Sequence, residues 1–303
     1  MAETLIISAI CGIGIGLLSG ILGVGGGVIV IPMLRLAFGV DALVTAGTSL
    51  LVILPTSLAG VIGRLRSRSR TGARVINLRA GLLVGCGGIV FSPIGSWLGN
   101  ITGGPIVMIA AAIVIAYTGV NMIRKALKSK PVTVAASDRT ETAEVASPTD
   151  VEADEAGSAL DRTQKTEAMT KTGKDGCELI LNGTTVAKLI CLGAVAGLLS
   201  GFIGVGGGFL IIPMLMWMFD MPFKEASGTS LAALCILSIP GIVTHGLLMH
   251  VDYARGLAIA AGSIPGALLG TALLKRLPEK TLRIVFGALL FVVAVTLAVN
   301  EFI

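Results

Sequence analysis

The chain has 303 residues, of which 54% are hydrophobic and only 14% are charged, and its formal net charge is +5. Soluble domains carry about 25% charged residues, so this composition excludes a water-soluble globular protein of this size. The apolar runs show no period-2 alternation, which excludes the strands of a membrane barrel and predicts an all-α integral membrane protein.

Apolar segments follow one another along most of the chain, and a helix needs about 20 such residues to cross a membrane. The segments are 5–22, 28–39, 42–62, 80–99, 105–123, 188–203, 209–219, 226–248, 256–274 and 282–300. The stretches 28–39 and 209–219 are too short to span alone. The five cysteines show no paired spacing, so we predict no metal site and no cofactor.

The sequence repeats itself after a shift of 181 residues. Residues 16–34 read GLLSGILGVGGGVIVIPML and residues 197–215 read GLLSGFIGVGGGFLIIPML, with 14 of 19 positions identical. Both copies continue into GTSL, at 47–50 and 228–231. This duplication predicts two homologous transmembrane repeats, 1–125 and 188–303, each with a glycine-broken element followed by three transmembrane helices.

The segment between the repeats, 126–187, differs in composition from the apolar repeats. It is rich in Ser, Thr, Asp, Glu and Lys and lacks a periodic apolar face. We therefore predict a disordered linker, on the cytoplasmic side of the membrane.

The distribution of basic residues predicts how the repeats are oriented. The loop 63–79 carries Arg64, Arg66, Arg68, Arg70, Arg74 and Arg79. Positive charge beside membrane helices stays cytoplasmic. If the broken element of each repeat enters the membrane and returns to the same side, the repeats are inverted. The Lys and Arg residues that do not belong to the linker are then divided into 14 on the cytoplasmic side and 2 on the opposite side. If the broken element crosses the membrane, the repeats are parallel, and 10 of these basic residues lie on the cytoplasmic side and 6 on the other. The count therefore favours inverted repeats.

The glycine runs are the first candidate site. Consecutive glycines are poor helix formers, and unwound backbone inside a membrane protein must be buried or line a cavity. The helix that restarts after each run presents unpaired amides and the positive end of its dipole, which favours an anion. The alternative is a kink needed only for tight packing. The candidate substrate-binding glycines are Gly25, Gly26, Gly27, Gly206, Gly207 and Gly208.

The repeated hydroxyl pairs Thr48-Ser49 and Thr229-Ser230 could face these breaks and bind the same anion. In membrane helices such side chains also bond back to the preceding turn. His245 is the deepest ionisable residue and a candidate proton relay, which would make H⁺ the coupling ion. The alternative for this histidine, which has no counterpart in the first half, is a packing or hydrogen-bonding role.

The duplicated GLLSGxxGVGGGxxxxPML motif followed by GTSL resembles the sulfite exporter TauE/SafE family of membrane permeases. The resemblance covers both hydrophobic halves. It implies a multi-pass protein of the bacterial inner membrane that exports small sulfur-containing anions, such as sulfite or organosulfonates, by secondary transport. The long acidic linker departs from the compact pattern of this family. The resemblance fixes neither the anion nor the oligomeric state.

Other functions are also compatible with these residues. Paired helix N-termini could line an anion channel, and a membrane assembly subunit would not transport at all. Thr48 and Ser49 with His245 could imitate the serine and histidine of an intramembrane hydrolase. A catalytic site is rarely duplicated so evenly, so we expect no enzyme activity. No GxxxxGK[ST] loop is present, and no aromatic residues interleave with the arginines, which argues against ATP-driven pumping and nucleic-acid binding.

Overall fold

A computed structural model of the chain describes residues 2–71, 76–128 and 183–302, which fold into α-helices joined by short connections. The helices are α1 (Ala2–Leu22), α2 (Gly27–Phe38), α3 (Ala42–Thr71), α4 (Leu78–Ile89), α5 (Phe91–Thr102), α6 (Gly104–Lys128), α7 (Gly183–Ile203), α8 (Gly208–Met218), α9 (Phe223–Leu247), α10 (Tyr253–Leu273) and α11 (Glu279–Phe302). A 3₁₀ turn, Leu274–Arg276, precedes α11. The predicted all-α fold is confirmed for these residues.

Among the described residues, six helices are long and apolar enough to span a membrane, namely Ala42–Arg66, Ile106–Arg124, Gly183–Ile203, Phe223–Leu247, Tyr253–Leu273 and Glu279–Val299. The predicted single segment 80–99 is instead two helices, α4 and α5, bent by 45° at Val90. Pro93 has no amide hydrogen to donate to the carbonyl of Ile89, which explains the break. Taken together, α4 and α5 would make a seventh span.

The prediction that Arg64 lies in a basic loop is wrong. Helix α3 continues to Thr71, and Arg64 is buried within it, with 1% of its surface exposed. The charge rule assigns basic residues to water. Here, however, the guanidinium group bonds to backbone oxygens of α1 and of α9, which replace water as its acceptors.

Helix α1 packs closely along α10, in the same direction. A Cβ atom placed on Gly12, Gly16 or Gly20 would lie 2.1–2.3 Å from the carbonyl oxygens of Ile259, Ser263 and Ala267, respectively. Helix α7 packs in the same way along α4 and α5, through Gly193, Gly197 and Gly201. The four-residue glycine spacing therefore brings backbones together, and the first helix of each repeat packs against the other repeat.

The two halves run in opposite directions. The N-terminal end of α3 lies at the start of α10, where Thr48 bonds to Asp252, so these two helices are parallel. The C-terminal end of α3 lies at the start of α9, where Arg64 bonds to Lys224, so these two are antiparallel. Helices α3 and α9 occupy corresponding places in the repeat, and their antiparallel packing agrees with the inverted arrangement that the charge count favours.

The broken element of the first repeat enters and leaves on one side. Helix α1 runs until Gly20, whose carbonyl accepts from Arg64 near the far end of α3. The chain then turns back, and Gly27 packs against Ile53 in the middle of α3. Helix α2 continues to Phe38, over whose ring the guanidinium of Arg255 lies at 5.7 Å. This residue belongs to the first turn of α10, beside which α1 also begins, so the element is re-entrant.

The predicted linker falls mostly outside the described residues. Helix α6 continues to Lys128 and α7 begins at Gly183, so both helices extend into the predicted segment 126–187. Residues 129–182 lie outside the described part of the chain, and the disordered, cytoplasmic linker stays a prediction.

Candidate functional site

The two glycine breaks meet in one buried junction. A Cβ atom on Gly27 would lie 2.6 Å from the carbonyl oxygen of Val205, and one on Gly208 would lie 3.0 Å from that of Val24. The candidate glycines Gly25, Gly26, Gly27, Gly206, Gly207 and Gly208 are all buried. The two breaks therefore face each other across the interface between the repeats.

Two apolar side chains complete this junction. Ile53 of α3 and Leu234 of α9 correspond in the sequence repeat, and both contact Gly25 and Gly206. Together with Leu50, these side chains form a small buried cluster. The glycine junction is therefore surrounded by apolar groups, in which a backbone amide interacts more strongly with an anion than it does in water.

The backbone of each break adopts a conformation that only glycine accepts at low cost. Gly26 and Gly207, which precede α2 and α8, have φ values of 85° and 70°. The first hydrogen bonds of α2 are donated by Ile29 and Val30, both to the carbonyl of Gly26. The amides of Gly27 and Val28 precede this pattern and lie at the positive end of the helix dipole.

The serines of the two hydroxyl pairs contact the opposite repeat. Ser49 donates to the carbonyl of Gly204, and Ser230 donates to the carbonyl of Gly23 at 3.1 Å. Each serine thus fixes the first glycine of the other repeat's break. Neither contacts the start of α2 or α8 directly, so their binding of substrate stays a prediction.

The threonines of the pairs hold the starts of two other helices. The hydroxyl oxygen of Thr48 accepts from the amide of Asp252 at 2.9 Å, and that of Thr229 accepts from the amide of Asn77 at 3.1 Å. Because the contacts of the two repeats are equivalent, the duplication seen in the sequence extends to individual hydrogen bonds. A role for these threonines in substrate binding also stays a prediction.

Arg64, which its basic neighbours in the sequence predict to lie in a loop, is a buried cation. Its Nη1 donates to the carbonyl of Lys224 at 3.0 Å and to the hydroxyl of Ser227 at 2.7 Å. Its Nη2 donates to the carbonyl of Gly20 at 3.0 Å. The guanidinium therefore joins the end of α1 to the start of α9.

His245, the candidate proton relay, is buried in α9 with 1% of its surface exposed. Its Nε2 lies 3.2 Å from the carbonyl oxygen of Gly201, and its ring centroid lies 6.2 Å from that of His250. Its Nδ1 has no hydrogen-bond partner among the described residues. Under the shift of 181 residues His245 corresponds to Arg64, so the equivalent position of the first repeat carries an arginine instead of a histidine.

A cavity of about 800 Å³ lies apart from the glycine junction, between α6, α8 and α11. Its lining includes Tyr117, Asn121, Trp217 and Asp220 together with Glu279 and Arg283, whose charged groups pair at 3.2 Å. None of the predicted site residues lines it. The predicted anion site and this cavity are therefore distinct.

Comparison with known proteins gives matches over nearly the whole chain. The family described as "Sulfite exporter TauE/SafE" matches residues 7–297. The "Probable membrane transporter protein YunE" of Bacillus subtilis is 24% identical over 295 residues, which is 95% of each chain. A probable membrane transporter protein of Methanocaldococcus jannaschii is 25% identical over 93% of this chain and 90% of its own. No solved structure matches the chain significantly.

Proposed function

The chain belongs to the sulfite exporter TauE/SafE family, and from this we propose that it is a secondary transporter that exports small sulfur-containing anions, such as sulfite or organosulfonates. Its relatives are described as membrane transporters, and its helices make it a multi-pass membrane protein. The observation that carries the finer proposal is the buried junction at which the starts of α2 and α8 meet.

The junction offers an anion a site without a full positive charge. The first amides of α2 and α8 can donate hydrogen bonds to the anion, and the helix dipoles add partial positive charge. A site of this kind holds an anion without binding it so tightly that release becomes slow. Inverted repeats with broken helices at their interface are the arrangement in which secondary transporters alternate access to a central site.

The proposal also includes the membrane in which the protein lies and the ion that drives transport. The protein lies in the bacterial inner membrane, with the arginine-rich C-terminal end of α3 and the linker in the cytoplasm, because positive charge stays inside. Protons are the coupling ion, and His245 is the relay that exchanges them. Both statements rest on charge placement and on the burial of this histidine.

Two competing functions predict different behaviour. An intramembrane hydrolase needs a serine paired with a histidine, whereas Ser49 donates to the carbonyl of Gly204 and His245 contacts the carbonyl of Gly201. The family is one of transporters, and we assign no enzyme activity. An anion channel would move the same ions but only down their gradient.

Flux into proteoliposomes tests the proposal. The purified full-length protein should accumulate sulfite or a small organosulfonate against its gradient when a proton gradient is imposed, which a channel cannot do. Gly26→Leu and Gly207→Leu should each abolish this flux, because φ at both positions is accessible mainly to glycine. Gly14→Leu is the matched control, since a Cβ atom there has open space around it. Unchanged flux in both junction variants would refute the site.

A further inference from the structure

One serine in the first helix of each repeat is buried and has no hydrogen-bond partner in the described part of the chain. The hydroxyl groups of Ser19 and Ser200, which are equivalent in the repeat, contact no acceptor among the described residues. Other buried helical serines, such as Ser57 and Ser238, donate to the carbonyl four residues earlier. A buried hydroxyl that lacks such a bond is costly, so each of these serines is a candidate donor to a ligand, and its surroundings decide whether it is one.

Ser19 lies beside the start of α2. Its Cβ atom is 3.9 Å from the position that a Cβ atom on Gly26 would occupy, and the methyl group of Thr56 is 3.8 Å from the same position. Ser19 and Thr56 therefore flank Gly26, the residue that precedes the helix. The side chain of Ser19 has 1% of its surface exposed, and that of Thr56 has none.

Ser263 of α10 adds a third hydroxyl group to this cluster. Its oxygen lies 2.5 Å from that of Thr56. Thr56 also contacts the carbonyl of Val52 at 2.7 Å, and Ser263 contacts that of Ala260 at 2.9 Å. Each hydroxyl has only one hydrogen to donate. If Ser263 donates to Thr56, the single hydrogen of Thr56 can turn from the carbonyl of Val52 to an incoming acceptor, to which Ser19 also donates.

The equivalent place in the second repeat lacks these properties. Leu237 stands at the position equivalent to Thr56, so one donor is missing. A Cβ atom on Gly207 would lie 2.8 Å from the carbonyl oxygen of Ala196, whereas the nearest atom to one on Gly26 is the methyl group of Ile15 at 3.1 Å. The start of α8 is therefore more crowded and less polar than the start of α2.

We propose that Ser19, Thr56 and Ser263 form an oxoanion subsite at the start of α2, in the first repeat only. The hydroxyls of Ser19 and Thr56 and the amides of Gly27 and Val28 donate to the oxygen atoms of the anion. This inference rests on the proposed function, because it takes a sulfur oxoanion as the ligand. It adds that the site is asymmetric, although the backbone around it is duplicated.

Binding of sulfite to the purified full-length protein, followed by calorimetry, tests this subsite. Ser19→Ala should weaken binding by about tenfold or more, because it removes a hydrogen bond to a charged group. Thr56→Val keeps the side-chain shape and should weaken binding to a similar extent. Ser200→Ala is the matched control, and it should change the dissociation constant less than twofold. Thermal melting in detergent shows whether each variant keeps its fold.

The outcomes separate this inference from the proposed function. If the wild-type protein binds and transports sulfite but Ser19→Ala binds it equally well, the subsite is wrong and the transporter stands. Equal weakening by Ser19→Ala and Ser200→Ala would also overturn it, because the two repeats would then contribute equally. If the wild-type protein neither binds nor transports sulfite or methanesulfonate, both the function and the subsite are refuted.

Discussion

Arg64 and His245 occupy equivalent positions in the two repeats, and each contacts the carbonyl of the equivalent glycine, Gly20 or Gly201. Because α3 and α9 are antiparallel, these contacts lie at opposite ends of the glycine junction. A carbonyl can only accept, so the Nε2 atom of His245 is the donor. Arginine keeps its charge at any physiological pH, whereas histidine changes its charge between pH 5 and 8. The two ends of the junction therefore differ in chemistry.

Removal of Arg64 should destabilise the fold. Its guanidinium donates to groups of α1 and of α9, and Arg64→Ala would remove one donor from each of these buried acceptors. We expect a loss of roughly 2–4 kcal/mol, measured as lower thermal stability in detergent together with lower flux. Arg64→Lys should recover only part of both, because an ammonium group cannot reproduce the fork of the guanidinium. Arg66→Ala, at an exposed position of the same helix, is the control. Equal melting temperatures for Arg64→Ala and wild type would contradict this role.

Replacement of His245 should uncouple transport from protons. His245→Gln keeps a side-chain amide that can donate to the carbonyl of Gly201 but cannot take up a proton. We expect anion exchange at equal pH to continue and the stimulation by a pH gradient to disappear, as measured by flux in proteoliposomes. His250→Gln is the control, since its ring is the nearest second imidazole. A full response to the pH gradient in His245→Gln would show that this histidine only holds the helix end.

Labelling of single cysteines should place the two ends of α10 on opposite sides of the membrane. Asp252 precedes this helix, and Glu279 follows it across a short turn. In a background without native cysteines, Asp252→Cys should react with an impermeant reagent added outside whole cells. Glu279→Cys should react only after the membrane is opened. Labelling of Glu279→Cys from outside would contradict the cytoplasmic assignment of the basic loops.

The duplication and the short helices are properties that the sequence predicts well. The glycine runs interrupt the helical pattern locally, so the predicted segments 28–39 and 209–219 agree with α2 and α8 to within one residue at each end. The bend at Val90 was missed because the run 80–99 is apolar throughout, and only Pro93 could have indicated it.

The partners of polar side chains could not be predicted in the same way. Arg64 is surrounded by charged neighbours in the sequence, which suggests a loop, but its acceptors come from Gly20 and Lys224, far away along the chain. The repeat itself offered a signal, because Arg64 aligns with His245 and Ser19 aligns with Ser200. Whether each of these residues finds a partner in the protein depends on tertiary packing alone.

The first helix of each repeat packs against the other repeat, and this arrangement has a consequence for biosynthesis. Helix α1 leaves the ribosome long before α10, along which its glycine face packs. Until α10 is made, that face has only lipid or the insertion machinery beside it, and a nascent first half cannot complete its own packing. Assembly of this protein is thus postponed until the last helices are inserted, and a chain truncated after α6 should be recognised as incomplete and degraded.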